Sequence, residues 1–370
     1  MNKKKYFIII IGVFIYVFIM IGQERVAIEA VATISGIGYD IERKGEDIIE
    51  YSIPINTNVY KSSGTQENVL FNDKGQNLGE IIQKRQQKMD KKFVQGQEQI
   101  ILISEGYARY GLETLIEDRF RNPETNSKAY MAVCKGKAED FLKYNKKGYS
   151  NASEYMSGLI EFYSNYSFFS NNYKIMDAYV RIGAEGRSLT LPYIELTEEG
   201  IEITGMAIFK DDKMVHLADI HKSKILNILK NDNVRGILSL QKSSKEYIDF
   251  DAASKKRKVK CYKQGEKYSF NIYLTFTGAV TNNEMYADMK ADINKKKEFE
   301  KDMEKSIEKQ CDEFIKTMKS DYKVDCLSLG REAAAKYGRQ KMTDWNKVVS
   351  NAEIKVYVVV NADLQGRGDY

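Results

Sequence analysis

The sequence predicts an α+β protein in which mixed and antiparallel sheets are packed by helices, preceded by one N-terminal membrane helix. Three observations support this fold class. An uncharged apolar run, residues 6–22, follows three lysines; segments with a period of two residues alternate with segments of helical period; and residues 284–321 form one long amphipathic stretch. Domains usually hold about 100–200 residues, so a chain of 370 residues should contain two or three.

The apolar run indicates a membrane anchor over residues 1–23. Lysines on its amino side stay in the cytoplasm, so the rest of the chain would lie on the outer side. The run is at the border between a removed signal, with about 7–15 apolar residues, and a spanning helix, with about 17–25. We expect an uncleaved anchor, although Ala30-Val31-Ala32 is a small-x-small cleavage site. The side chains expected in the bilayer are Ile8, Ile11, Val13, Phe14, Val17 and Phe18.

Lipid attachment is not predicted. A bacterial lipoprotein ends its apolar run with a small residue followed by a cysteine, whose thiol takes the lipid. Here Gly22 is present, but Gln23 stands where that cysteine would be. Because an amide cannot form the thioether, the helix itself has to act as the anchor.

Composition argues against nucleic-acid binding and metal binding. The chain has 57 Lys and Arg against 52 Asp and Glu, and three of the lysines precede the anchor, so no basic footprint remains. His216 and His221 lie five residues apart, whereas residues on one helix face lie three or four apart. We predict no metal, no cofactor and no catalytic residues.

Four cysteines leave two redox states open. They are widely spaced and form no CxxC motif: Cys134, Cys261, Cys311 and Cys326. Burial as free thiols is the preferred interpretation. In an exported chain, Cys311 and Cys326 could instead close the shortest disulfide loop.

The first domain is predicted over residues 24–172. It begins with a hairpin of two strands around a polar turn at residues 42–46, and continues with strand–helix units whose strands include Ile100–Ile103 and Ala129–Cys134. The stretch Gly36-Ile-Gly-Tyr-Asp40 lacks the third glycine of a dinucleotide-binding loop, and a strand follows it. Nucleotide binding is therefore not expected.

A small β-rich middle domain is predicted over residues 173–232, with turns at residues 198–200 and 210–213. The C-terminal domain, residues 233–370, should open with a three-stranded antiparallel meander. Its strands are predicted at residues 246–251, 258–262 and 268–276, with a basic turn at residues 255–258. That turn is either solvated or in contact with anionic lipid headgroups.

The long helix predicted at residues 284–321 has two faces. Its apolar residues are spaced for packing on the sheet, from Met285 to Met318. Lysines at every fourth position each precede an acidic residue by three positions, which predicts an exposed face of weak ion pairs, Lys297 with Glu300 being the first. Residues 353–362 should form a strand that joins the sheet begun by residues 268–276.

These parts, in this order, resemble the C subunit of bacterial spore germinant receptors. The resemblance rests on four stretches: VATISGIGYD (31–40), ILISEGYARYGLETLIEDRFRNPE (101–124), FTGAVTNNE (276–284) with the long helix after it, and CLSLGREAAAKY (326–337). Together they span nearly the whole chain. The family is usually lipid-anchored, and Gln23 departs from that pattern.

The resemblance implies a three-domain extracytoplasmic α+β protein on the outer face of the spore inner membrane. It implies assembly with two integral membrane subunits, of A and B types, which bind the nutrient. Two other functions stay open on the residues alone. One is an exported solute-binding protein that closes around a nutrient between domains, with junctions near Asn172 and Asp232. The other is an exported cell-wall enzyme, which would need paired carboxylates or an activated nucleophile.

Overall fold

The computed structural model describes residues 3–21, 26–44, 49–339 and 343–363. The described helices are α1 (Lys3–Ile21), α2 (Leu78–Gln86), α3 (Glu105–Tyr110), α4 (Glu113–Arg121), α5 (Ala138–Lys143), α6 (Ala152–Tyr163), α7 (Ile175–Ile182), α8 (Ile220–Lys230), α9 (Ile293–Thr317), α10 (Leu329–Tyr337) and α11 (Trp345–Asn351). The described strands are β1 (Val31–Arg43), β2 (Ile49–Ser52), β3 (Ile55–Tyr60), β4 (Gln66–Phe71), β5 (Lys74–Gly75), β6 (Lys92–Val94), β7 (Ile100–Ser104), β8 (Tyr130–Cys134), β9 (Thr190–Thr197), β10 (Gly200–Lys210), β11 (Lys213–Asp219), β12 (Val234–Ser243), β13 (Glu246–Gln264), β14 (Lys267–Asn283) and β15 (Glu353–Asp363).

Helix α1 exposes its apolar side chains. Phe14 and Phe18 are 73% and 76% exposed. Within the described ranges, no helix is both long enough and apolar enough to cross a membrane. This finding does not support the spanning helix predicted from residues 6–22. Gln23, the position that decides lipidation, lies outside the described residues.

The first sheet contains eleven of the described strands, and β1 lies at its centre. Strands β1, β7, β8 and β9 run parallel to one another, and β10 and β11 extend them antiparallel. Parallel strands are covered by helices on both faces and therefore read as continuous apolar runs. Ile100–Ile103 fits this rule, since each of its side chains is fully buried. The predicted strand–helix units are confirmed here.

The region predicted as a middle domain contributes strands to this first sheet. Strand β8 pairs with β9 in parallel, through Val133 with Tyr193 and Cys134 with Ile194. Hydrogen bonds of one sheet thus cross residue 172, where a domain boundary was predicted. The division into residues 24–172, 173–232 and 233–370 stays a prediction.

The second sheet contains four described strands in the order β12-β13-β14-β15. The antiparallel meander differs from the predicted one, because residues 246–251 and 258–262 belong to one strand, β13, and the third strand is β12. Strand β15 joins this sheet, as predicted, and lies parallel to β14. The predicted basic turn at residues 255–258 is wrong, because β13 continues as one strand through it. A register shift between Ser254 and Lys256 absorbs the extra residue Lys255, as a β-bulge does.

The long helix begins later than predicted. Asn283 accepts hydrogen bonds at Oδ1 from the backbone N–H groups of Met285 and Tyr286, which closes a turn there. Asp292 then caps the N-terminus of α9 by accepting from the N–H of Asn294, 2.8 Å away. The helix therefore starts at Ile293, and after Thr317 it continues into a short π-helical turn, Met318–Tyr322.

Three glutamates of α9 bind the backbone of β15, although Glu300 also lies 3.4 Å from Nζ of Lys296. The carboxylates of Glu300, Glu304 and Glu308 accept hydrogen bonds from the N–H groups of Ala362, Val360 and Val358, at 2.9, 3.0 and 3.0 Å. The exposed face of ion pairs predicted for these residues is therefore wrong. Strand β15 is an edge strand, and these carboxylates satisfy part of its free edge.

Buried side chains form a core on each face of the first sheet and one core under the second. Helices α3 and α4 cover one face of the first sheet, and α5 and α6 cover the other. Helices α8 and α9 share the core of the second sheet. We call the first sheet with the helices that cover it the first unit, and the second sheet with the helices that share its core the second unit. The four cysteines are buried as free thiols. Cys134 lies in the first unit, and the other three lie in the core of the second unit.

Candidate functional site

The Gly36-Ile-Gly-Tyr-Asp40 motif has a structural role. A Cβ on Gly36 would lie 2.1 Å from the Oγ of Ser153, and one on Gly38 would lie 2.8 Å from the Cβ of Ala138. The glycines thus allow α5 and α6 to pack closely on β1. Asp40 is 3% exposed and accepts hydrogen bonds from the N–H groups of Ala138 and Glu139 at the start of α5. The motif fastens helices to the first sheet.

Side chains of both units converge at the place where the two sheets meet. We call this place the junction and define it by the loop 184–190, the end of α8, the segment 325–331 and Trp345. The loop precedes β9 of the first sheet, whereas the segment 325–331 leads into α10 beside the second sheet. The junction is therefore one place where a movement of one unit would act directly on the other.

Helix α8 connects the two sheets, because it follows β11 and precedes β12. Its buried Asn227 accepts a hydrogen bond at Oδ1 from the hydroxyl of Tyr173, 2.8 Å away. Its last residue, Lys230, donates from Nζ to the carbonyl of Ser188 and to Oγ1 of Thr190, both at 3.0 Å. The last turn of the helix is thus bonded to the first unit, while the apolar side chains of the helix belong to the second core.

Two buried groups of opposite charge lie at the junction. The residue Lys230 is only partly buried, but its ammonium group is enclosed, and burial together with repulsion from Arg181 lowers the pKa of Lys230 to about 7. Asp325 is 3% exposed, and burial raises its pKa to about 6 although the N–H groups of Gly330 and Leu329 bond it. Each charge stabilises the other electrostatically. A change at either group would alter contacts to both units.

The loop before β9 touches the segment before α10 through backbone groups. The N–H of Arg331 donates to the carbonyl of Gly186 at 2.9 Å, and the N–H of Ser188 donates to Oγ of Ser328 at 3.1 Å. Gly186 has φ of +67°, and a Cβ there would lie 2.4 Å from the nitrogen of Arg331 and from the carbonyl carbon of Gly330. Only glycine fits this approach without a shift in the backbone.

The single tryptophan of the chain also lies at the junction. Trp345 is 5% exposed and donates from Nε1 to Oε1 of Glu185 at 3.0 Å. A Cβ on Gly330 would lie 2.7 Å from the Cβ of Trp345, so these residues are in close contact. The indole therefore reports on the contact between the units, a role that sequence reasoning did not assign to it.

The two histidines have different surroundings. His216, on β11, has its Nε2 3.1 Å from the carbonyl oxygen of Tyr322, and the two rings are 4.9 Å apart. His221 is exposed on α8. Among the described residues, no group of three or more His, Cys, Asp or Glu side chains is arranged to hold a metal ion. His216 adds a further contact between the first sheet and the π-helical turn that follows α9.

The junction can couple the positions of the two units, since hydrogen bonds and buried charges connect them there. The sequence left open a solute-binding cleft with junctions near Asn172 and Asp232. Near these points the structure has direct contacts: Tyr173 bonds Asn227, and Asp232 accepts from the N–H of Arg257 at 2.8 Å. Sequence reasoning missed the junction because Ser188 and Ser328 are separated by 140 positions. No local pattern brings such residues together.

Comparison with known proteins connects this architecture to spore germination. A family model described as the spore germination protein N-terminal domain matches residues 24–196, and one described as spore germination B3/GerAC like, C-terminal, matches residues 204–366. The two matches meet at the turn between β9 and β10. Together they cover nearly all of the chain.

One curated relative and one solved structure agree with these matches. Spore germination protein GerQC of Bacillus cereus is 24% identical over 226 residues, which are 60% of this chain and 61% of that protein. The chain thus matches about three fifths of the length of this relative. The crystal structure of the GerBC protein has a TM-score of 0.53 at 15% identity and covers 88% of this chain and 97% of its own, which shows a shared fold. The chain therefore belongs to the GerAC-like family of spore germination proteins.

Proposed function

We propose that this protein is the non-catalytic C subunit of a nutrient germinant receptor in the spore inner membrane, required for nutrient-triggered germination. The observation that carries the proposal is the pair of germination-family matches, which together extend from residue 24 to residue 366. The fold shared with the GerBC protein supports the same assignment over most of the chain. In this role the chain works with two integral membrane subunits, of A and B types, and the nutrient is bound mainly by those partners.

The proposal places most of the chain on the outer face of the membrane, attached through α1. Support comes from the three lysines before the apolar run, whose position favours a cytoplasmic amino end. The exposed apolar side chains of α1 provide further support, because such side chains are stable when lipid or a protein partner covers them. Since Gln23 cannot take a lipid through a thioether, attachment by the helix is the mode we propose.

The junction provides a mechanism for such a subunit. Docking of one unit on a membrane partner would act on the loop 184–190, and this loop is hydrogen bonded to the segment 325–331 of the other unit. A subunit of this kind transmits a change in position between partners. It needs no catalytic group for that role.

Germination of spores that lack the gene tests the proposal. We expect the deletion strain to lose its response to nutrient mixtures and to keep its response to a trigger that bypasses receptors. Complementation with the native gene should restore the nutrient response, and complementation with Gln23→Cys shows whether a lipid anchor can replace the helix. Equal loss with both triggers would contradict a receptor role and indicate a downstream enzyme.

A further inference from the structure

The second sheet exposes a row of lysines on its outer face. Because the basic segment lies in a strand, its alternate side chains point to one side. Lys256, Lys258 and Lys260 are all exposed, and in register they oppose Thr275, Tyr273 and Asn271 of β14. Arg257, between them, points the other way and donates from Nε to the carbonyl of Leu229.

Aromatic side chains and a fourth lysine continue this face across the sheet. Tyr273 and Tyr357 stack with their ring centroids 5.1 Å apart, and Nζ of Lys260 lies 5.1 Å from the ring of Tyr273. Lys355 opposes Asn271 from the other side, and Val359 on the same strand is 50% exposed. The lysine face is defined here as Lys256, Lys258, Lys260, Lys355, Tyr273 and Tyr357.

The charge of the lysine face is not neutralised within the described part of the chain. None of Lys256, Lys258 and Lys260 forms an ion pair with a described carboxylate, whereas Lys355 is paired with Glu353 at 2.8 Å. A groove of about 390 Å³ adjoins the row, and its lining includes Lys260, Tyr262, Glu332 and Lys336. Three ammonium groups without a described carboxylate partner thus lie on one sheet face, beside a groove whose lining adds one lysine and one glutamate.

We propose that the lysine face lies against a bilayer surface that contains anionic phospholipid headgroups. A row of positive charge on one face of a sheet suits a layer of anionic phosphates, and tyrosines are enriched at the level of the headgroups. Each lysine near an anionic surface increases the partitioning of a protein onto that surface about fivefold, so that the three lysines together should increase it roughly 100-fold. The inference rests on the proposed membrane attachment, because α1 would hold the same chain at the bilayer.

The test measures lysine labelling in the full-length protein. Protein bound to vesicles of neutral phosphatidylcholine, or of the same lipid with phosphatidylglycerol, is treated briefly with an acetylating reagent, and each lysine is quantified by mass spectrometry. We expect the labelling of Lys256, Lys258 and Lys260 to slow by about threefold or more in anionic vesicles, and high salt to reverse this protection. Lysines on the exposed side of α9, such as Lys297, Lys301 and Lys305, are the internal control and should not change.

Two matched variants complete the test. The triple variant Lys256→Gln, Lys258→Gln and Lys260→Gln should remove the protection of Lys355, which lies on the same face. The triple variant Lys297→Gln, Lys301→Gln and Lys305→Gln removes the same amount of charge from α9 and should retain the protection of Lys355. The proposal would be overturned if anionic vesicles slowed the labelling of Lys256, Lys258 and Lys260 no more than that of Lys297, Lys301 and Lys305. Failure of the protein to float with anionic vesicles would also overturn it.

These outcomes are independent of the receptor assignment. Germination of the deletion strain decides the receptor role, whereas labelling of the purified protein decides the orientation of the second sheet. A lost nutrient response with unprotected lysines would keep the receptor and reject the lipid contact. Protected lysines with a normal nutrient response in the deletion strain would keep the lipid contact and reject the receptor role.

Discussion

Lys230 shows how one residue can join two units of a protein. It ends α8, and its Nζ donates to Ser188 and Thr190 of the first unit. A charge in this enclosed place is costly, which is why burial lowers the pKa of Lys230 to about 7. The sequence shows only a lysine in the last turn of an amphipathic helix, a position typical of exposed lysines.

The stability of the folded protein should therefore depend on pH through Lys230. The unfolded chain holds this proton up to the ordinary lysine pKa of 10.5, whereas the folded protein releases it near 7. The unfolded state thus binds more protons above pH 7, and the folded state gains stability as the pH rises. Relative to Lys230→Met, the free energy of unfolding of the native protein should increase by about 1.4 kcal/mol per pH unit between roughly pH 7 and 9.

Denaturation in urea, followed by the fluorescence of Trp345, measures this difference. Lys230→Arg is the second variant, because a guanidinium stays charged over the same range and should also remove the slope. A difference between the native protein and Lys230→Met that stays constant with pH would show that the ammonium is solvated.

Gly186 gives a second prediction at the scale of one residue. Gly186→Ala should lower the free energy of unfolding by roughly 2–4 kcal/mol, since it combines left-handed backbone strain with a clash against Arg331. Gly265→Ala is the matched control: its φ is +59°, and nothing lies within 4 Å of an added Cβ. It should cost only about 1 kcal/mol, from the strain alone. Equal losses in urea denaturation would mean that the loop 184–190 moves aside freely.

At the scale of elements, α9 and β15 fit each other by their repeats. Residues four apart on a helix are about 6 Å apart along its axis, and alternate residues of a strand are about 6.6 Å apart. Glutamates at positions 300, 304 and 308 can therefore reach the N–H groups of residues 362, 360 and 358 in turn. Edge strands with free N–H groups invite pairing with other chains. These carboxylates occupy that edge.

Removing one carboxylate should leave a backbone donor of β15 unsatisfied. We expect Glu304→Ala to lower the free energy of unfolding by about 1–3 kcal/mol. Glu304→Gln should cost less, because its amide oxygen can still accept from Val360. Glu298→Ala is the control on the same helix, since among the described residues Glu298 forms its ion pair with Lys295, at the exposed surface, and the change should cost less than about 0.5 kcal/mol. Similar losses for Glu298→Ala and Glu304→Ala in urea denaturation would show that the contact with β15 contributes nothing.

Elements were more predictable from the sequence than their partners. The period of four in α9 is visible in the sequence, but it fits ion pairs along the helix and contacts to a strand equally well. Likewise residues 255–258 are all basic, which is typical of an exposed turn, yet the bulge between Ser254 and Lys256 keeps these residues in β13. Local pattern determines which residues share a face, whereas the neighbour of that face depends on pairing between distant segments.

At the scale of the whole molecule, the two sheets are joined by α8 and by the junction. The family resemblance was visible in short stretches along the chain, and the family matches confirm it. The junction could not be found in this way, because Glu185 and Trp345 meet only after both units have folded. The proposed receptor role would use a contact of this kind to transmit movement, and such movement can be tested directly.

A disulfide across the junction should block germination if the units move against each other. The hydroxyl oxygens of Ser188 and Ser328 are 3.4 Å apart, close enough for cysteines at both positions to form a bond after small adjustments. We expect spores with Ser188→Cys and Ser328→Cys to lose the nutrient response under oxidising conditions and to recover it with a reductant. Either single variant should respond normally in both conditions. A double variant that is oxidised, as shown by a shift in gel mobility, and still germinates on nutrients would mean that the two sheets act as one rigid body and that the signal passes elsewhere.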